Sequence, residues 1–144
     1  MLELLPSQKF FKLPQISLLK CRKCMFLFTS NGFIFETLCI RDLNVYANKL
    51  GGKVYYFRKG DKLEIDCVLL LNDGRYGLIE IKLGKKEIKK GSNNLHKAKD
   101  IILENISKNN TKVPEPSFLS ILTGGEVACT KYDDIKIIPI GCLR

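Results

Sequence analysis

Hydrophobic positions recur along this chain with two periods, and the switches between them mark out its elements. From Phe33 to Leu50, the residues Cys39, Leu43, Tyr46, Ala47 and Leu50 recur at steps of three and four, the helical period. Asn31-Gly32 is a break before this segment, and Gly51-Gly52 supplies the stop, with Lys49 complementing the helix dipole. Three runs rich in Val, Ile, Leu and Tyr follow: Lys53–Arg58, Lys62–Leu71 and Tyr76–Leu83. They are parted by Lys59-Gly60-Asp61 and Asn72-Asp73-Gly74, links short enough to join antiparallel neighbours. Ser92 predicts the N-cap of a second amphipathic helix over Asn93 to Lys108, with Leu95, Ala98, Ile101, Ile102 and Ile106 on one face. Beyond a polar loop with Pro114 and Pro116, Phe118–Leu122, Val127–Lys131 and Ile135–Ile138 read as three more strands, and Pro139 limits the last to an edge or an end. The order is α-β-β-β-α-β-β-β. It predicts an α/β (α+β) fold with a mixed central sheet flanked by helices.

A chain of 144 residues is the size of one domain and buries about two-thirds of its unfolded surface, enough for a core without staples. With 45% hydrophobic and 27% charged residues, disordered, collagenous and low-complexity classes are excluded. Residues 1–30 stand apart as a basic segment, with Lys9, Lys12, Lys20, Arg22 and Lys23 against Glu3 alone and with no chemistry assigned to them; residues 31–144 form the domain. The N-terminus shows no basic region before an apolar stretch, and the longest aliphatic run, Val68 to Leu71, is too short to cross a membrane. The six cysteines therefore read as reduced thiols of a cytoplasmic protein, with Cys39 and Cys67 buried in apolar runs. Cys21 and Cys24 form a C-x-x-C, but zinc would need two more ligands, and the sequence holds no second C-x-x-C and no H-x-x-x-H. Gly51-Gly52-Lys53-Val54 lacks the upstream Gly and the Ser/Thr of a phosphate-binding loop.

The candidate chemistry lies on the second and third strands. Glu80 and Lys82 project from one face of the third strand, opposite Ile79 and Ile81. A three-residue loop at Asn72-Asp73-Gly74 pairs Leu70 with Tyr76 and Val68 with Leu78; continued, it sets Asp66 against Glu80 and Glu64 against Lys82. Two facing carboxylates repel unless a cation lies between them, and Lys82 or a hard divalent metal can serve. A charged pair on one strand face is also what a solvated sheet face looks like. Glu36, at the N-terminal end of the first helix's apolar stripe, reads either as a first-turn acid or as a carboxylate aimed at a site beneath the helix.

Asp66, then Glu80-Ile81-Lys82 on a hairpin preceded by a helix carrying Glu36, resembles the core of the PD-(D/E)XK nuclease superfamily. The wording Gly32-Phe33-Ile34-Phe35-Glu36-Thr37-Leu38, Leu63-Glu64-Ile65-Asp66-Cys67-Val68-Leu69 and Leu78-Ile79-Glu80-Ile81-Lys82 is similar to a domain of uncharacterised function that ends many prokaryotic AAA-type ATP-binding proteins. The resemblance runs from about Asn31 to Arg144. It implies a restriction-endonuclease-like core, α-β-β-β-α-β with extra C-terminal strands. It implies Asp66, Glu80 and the Ile81 carbonyl as ligands of Mg²⁺ or Mn²⁺, Lys82 as the catalytic lysine, and Glu36 as the acid that orients metal-bound water. Asn94 and Lys97 are candidates for a further polar residue on the helix after the motif. Relatives of this kind follow an ATPase domain and a winged-helix linker, which residues 1–30 do not resemble.

Charge adds a partner class. The chain carries 24 Lys+Arg against 15 Asp+Glu, a net +9 that favours a polyanion. Lys85, Lys86, Lys89, Lys90, Lys97 and Lys99 crowd one stretch with Glu87 as its only acid before position 100, just past Lys82; by charge alone they read as a solvated helix flank, and beside the motif as a phosphate-holding rim. Two functions stand side by side. One is Mg²⁺-dependent hydrolysis of DNA phosphodiesters. The other is a non-catalytic interaction or nucleic-acid-binding module, a part or partner of a separately encoded ATPase. No membrane is expected as a partner.

Overall fold

A computed structural model describes residues 31–59, 63–109, 113–131 and 133–143. Residues 1–30, with the basic segment and Cys21 and Cys24, lie outside these. Helix α1 (Asn31–Lys49) leads into strands β1 (Lys53–Lys59), β2 (Leu63–Leu70) and β3 (Tyr76–Lys82). A short 3-10 turn over Lys85–Glu87 opens helix α2 (Ile88–Asn109), followed by β4 (Phe118–Thr123), β5 (Cys129–Thr130) and β6 (Ile135–Pro139). The six strands form one mixed sheet in the order β1-β2-β3-β4-β6-β5. The expected α-β-β-β-α-β order with two further strands is present.

Helix α1 ends where the paired glycines put it. Gly51 takes φ +70°, its N–H bonds the Asn48 carbonyl (3.1 Å), and Gly52 N–H bonds the Ala47 carbonyl (2.7 Å). This is the Schellman pattern, which satisfies carbonyls that the last turn leaves open. The β2–β3 loop is a three-residue turn as expected: Gly74 N–H bonds Leu71 O (3.0 Å), Leu71 N–H bonds Arg75 O (2.8 Å), and Gly74 has φ +87°. The register follows, with Leu70↔Tyr76 and Val68↔Leu78.

Strand β3 pairs antiparallel with β2 and parallel with β4, and its first six residues are buried. Central strands are covered on both faces, and here each face has its own core. Cys39, Leu43 and Ala47 of α1 pack on Cys67, Ile79 and Ile81. Leu95, Ala98 and Ile102 of α2 pack on Ile65, Val68, Leu78 and Ile121. Among the described residues no helix is long and apolar enough to cross a membrane.

Two expectations are corrected. Helix α2 begins at Ile88, so Ser92 is inside it and not its cap; the hydroxyl is buried and donates to Asp133 Oδ2 at 3.0 Å. Tertiary contact with the β5–β6 hairpin uses the hydroxyl that the sequence assigned to a cap. The strand expected over Val127–Lys131 is reduced to Cys129–Thr130, and Val127 is exposed. It is an edge strand, and a two-residue edge offers little unpaired backbone to another chain.

Candidate functional site

The site is built on an irregularity in β2. Between the pairs Tyr55↔Val68 and Phe57↔Ile65, β1 has one residue and β2 has two, Asp66 and Cys67. This β-bulge resets the alternation of β2. Leu63 and Ile65 belong to the core under α2, Cys67 to the core under α1, and Val68 to the core under α2 again. The β2–β3 ladder ends at Cys67↔Ile79. Regular continuation would give Ile81 N–H the carbonyl of Ile65. Asp66 Oδ2 takes that proton instead, at 2.8 Å. The bulge thus turns a side-chain carboxylate into the position of a ladder acceptor. The expected strand pairs Asp66–Glu80 and Glu64–Lys82 are therefore not in the ladder, and Glu64 instead pairs with Arg58 in β1.

Asp66 and Glu80 nevertheless converge, through Lys82. The Lys82 ammonium donates to Asp66 Oδ2 at 2.9 Å and forms an ion pair with Glu80 Oε2. Asn94, one turn into α2 beyond Gly91, donates from Nδ2 to Glu80 Oε1 at 3.2 Å. The side chains are 10% (Asp66), 1% (Glu80) and 17% (Lys82) exposed, so the cluster sinks inward from Lys82 at its mouth. Helix α2 comes close to the cluster at Gly91: a Cβ there would be in ordinary contact with Lys82 Cγ at 3.4 Å and Glu80 Cβ at 3.5 Å.

The electrostatics follow from burial. Desolvation, then the neighbouring Asp66, pushes the Glu80 carboxyl up to about 7, while Lys82 and Asn94 hold it back from rising further. Burial acts to lower the Lys82 pKa, but Asp66 and Glu80 together carry it above the ordinary lysine range. The trio has two carboxylates for one ammonium.

A hard divalent cation fits this donor set. Among the described residues, the buried Glu80 Oε2 has no hydrogen bond of good geometry and has Lys82 as its ion-pair partner. Among the described residues, no three His, Cys, Asp or Glu side chains gather to hold a metal by themselves. A cation there would be left with two carboxylates and water, the kind of set Mg²⁺ or Mn²⁺ accepts and structural zinc does not.

The other sequence candidates fall into place around this core. Glu36 is half-buried on α1, which covers the opposite sheet face, and its charge contributes to raising the Cys39 thiol, pushed up to about 11 mainly by burial. Its neighbour Phe35 lies near Gly124, just past the end of β4, and the hydrogen bonds and ion pairs described above for the Asp66–Lys82–Glu80 cluster do not include Glu36. The Asp66–Lys82–Glu80 cluster itself is completed by Asn94, from the other face. Lys85, Lys86, Lys89, Lys90 and Lys97 are all exposed, on the 3-10 turn and the first turns of α2. Cys39 and Cys67 are buried free thiols, as expected.

Sequence reasoning missed three features. The bulge leaves no mark in the composition of β2. Gly91 carries a signal, because an isolated glycine inside a helix marks a close approach, but a cap at Ser92 puts Lys89-Lys90-Gly91 ahead of the helix. Ser92 and His96 both bond Asp133 Oδ2, at 3.0 and 2.9 Å, tying α2 to the β5–β6 hairpin across 37 or more residues of chain.

No curated protein and no solved structure matches the chain. A family model described as "Domain of unknown function (DUF4143)" matches residues 31–143, spanning both helices and the whole sheet. The segment that builds the Asp66–Glu80–Lys82 cluster thus lies within that match, and the chain belongs to the DUF4143 family.

Proposed function

We propose that this domain is a metal-dependent phosphodiesterase of nucleic acid, with DNA as the substrate class and Mg²⁺ or Mn²⁺ as its cofactor. The carrying observation is the convergence of Asp66, Glu80 and Lys82 at a bulge that redirects Asp66. Two largely buried carboxylates face a single ammonium there, which a second positive charge would offset. The resemblance of Asp66 and Glu80-Ile81-Lys82 to the PD-(D/E)XK motif, read from the sequence, points the same way.

Asp66, Glu80 and the Ile81 carbonyl would hold the metal. When bound, the metal neutralises phosphate charge and lowers the pKa of a water. Asp66 is kept in place by Ile81 N–H, and Glu80 by Asn94, so both arrive preorganised. Lys82, at the mouth, has the reach to orient the attacking water or to stabilise charge on the phosphoryl oxygens. Lys85, Lys86, Lys89, Lys90 and Lys97 would hold flanking phosphates without reading sequence. Glu36 would act from the opposite face.

The test is cleavage of supercoiled plasmid by the purified chain with Mg²⁺, with Mn²⁺ and with EDTA. Nicking that needs the metal and is lost in Asp66→Asn supports the proposal. DNA binding with no cleavage under any metal would favour the alternative, a non-catalytic nucleic-acid-binding module working with a separately encoded ATPase.

A further inference from the structure

We infer that the Lys82 ammonium and a divalent cation compete for the same two carboxylates, so that metal binding expels the ammonium towards solvent. The inference rests on the metal-site reading above and concerns what that site does when it loads.

The ammonium occupies the oxygens a cation needs: Asp66 Oδ2 and Glu80 Oε2 both point at Lys82 Nζ. A dication bridging these oxygens and an ammonium bonded to them would be like charges a few ångströms apart in a partly dehydrated site, where repulsion is poorly screened. One of them leaves.

Three features make the lysine the mobile member. Each carboxylate has a second anchor that does not depend on it. Ile81 N–H holds Asp66 Oδ2, and Asn94 Nδ2 holds Glu80 Oε1. Lys82 is the last residue of β3 and the most exposed of the three, and the residues after it, Leu83 to Glu87, are exposed. Its Cγ lies beside Gly91, so α2 sets no side chain against the stem at that position. A flexible four-carbon stem carrying a strongly hydrated charge suits such a swing. The competition would keep both carboxylates neutralised before loading. It would also lower the apparent metal affinity and deliver Lys82 outward, to the side where Lys85 and Lys86 stand.

The experiment uses the full wild-type chain. Binding of Mg²⁺ and of Ca²⁺ alone is measured by titration calorimetry. In parallel, brief reductive methylation with formaldehyde and borohydride is followed at each lysine by peptide mass spectrometry, with and without saturating Ca²⁺. An ammonium held between two carboxylates is largely shielded from the reagent and one released to solvent is not, so Lys82 labelling is expected to rise several-fold. Lys85 and Lys86, already exposed, should change little and serve as internal references. If calorimetry shows binding while Lys82 labelling is unchanged or falls, the competition is wrong and the metal site stands. If neither ion gives a binding heat and labelling is flat, the metal-site reading fails and this inference fails with it.

Discussion

The buried carboxyl of Glu80 gives the most direct physical test of the site. Its ordinary pKa of 4.5 is raised to about 7 in the folded protein, by desolvation first and by Asp66 second. Between those two values the folded chain holds a proton that the unfolded chain has released. Stability therefore falls as pH rises: Glu80's contribution is complete below pH 4.5 and is lost as pH passes through 7. A shift of this size at 1.36 kcal/mol per unit corresponds to about 3 kcal/mol. At this chain length a kcal/mol moves the melting temperature by roughly 2–4 °C, so the loss is about 6–12 °C. Lys82 does not titrate in this window, since its pKa is raised from a value already far above it. The lowered carboxyls Asp73 and Asp133 act the other way and lower down, their contribution being lost as pH falls below the ordinary aspartate range. The perturbation is Glu80→Gln, which keeps the shape and removes the titration. Melting curves of wild type and variant from pH 4.5 to 8 should diverge in slope, the variant gaining relative to wild type as pH rises. A difference that stays flat across the window would refute the burial argument.

Four further outcomes are expected. Lys82→Met leaves two carboxylates facing each other in a largely buried site and should cost about 3–5 kcal/mol at pH 8, less at pH 5, by denaturant titration. Gly91→Ala should stabilise by up to about 1 kcal/mol, because its Cβ meets Lys82 and Glu80 at ordinary contact distance, whereas Gly91→Leu should destabilise by driving into both. Thiol labelling located by mass spectrometry should reach Cys129 and Cys142 in the native protein and reach Cys39 and Cys67 only on unfolding, since burial both hides those two thiols and holds them protonated. Reversing Lys86, Lys89 and Lys90 to Glu should leave the fold intact and weaken DNA binding at ~0.1 M salt across all sequences, as seen by fluorescence anisotropy.

Local rules carried most of the architecture. The spacing of Cys39, Leu43 and Ala47 and the pair Gly51-Gly52 specify α1 and its end, because helix periodicity and a left-handed cap are properties of neighbours in the chain. Asn72-Asp73-Gly74 specifies its turn, and the turn alone sets the register from Leu70↔Tyr76 to Cys67↔Ile79. The residue types at Asp66, Glu80 and Lys82 were legible for the same reason: charges inside β-branched runs call for a partner. What the sequence could not decide is how Asp66 reaches that partner. Alternation continued through β2 pairs Asp66 with Glu80; the bulge against β1 moves it to Ile81 N–H, and a bulge is a relation between two strands, not a property of one. The start of α2 was misplaced likewise. Lys89, Lys90 and Gly91 look like a solvated flank until helix and sheet meet, when Gly91 becomes the point at which α2 lies against Glu80 and Lys82. Ser92 is claimed by Asp133, 41 residues away, before it can cap anything. Sequence determines which groups are present and how each segment folds locally; only the packed sheet and helices decide which distant groups share one buried, poorly screened space, and there the chemistry is set.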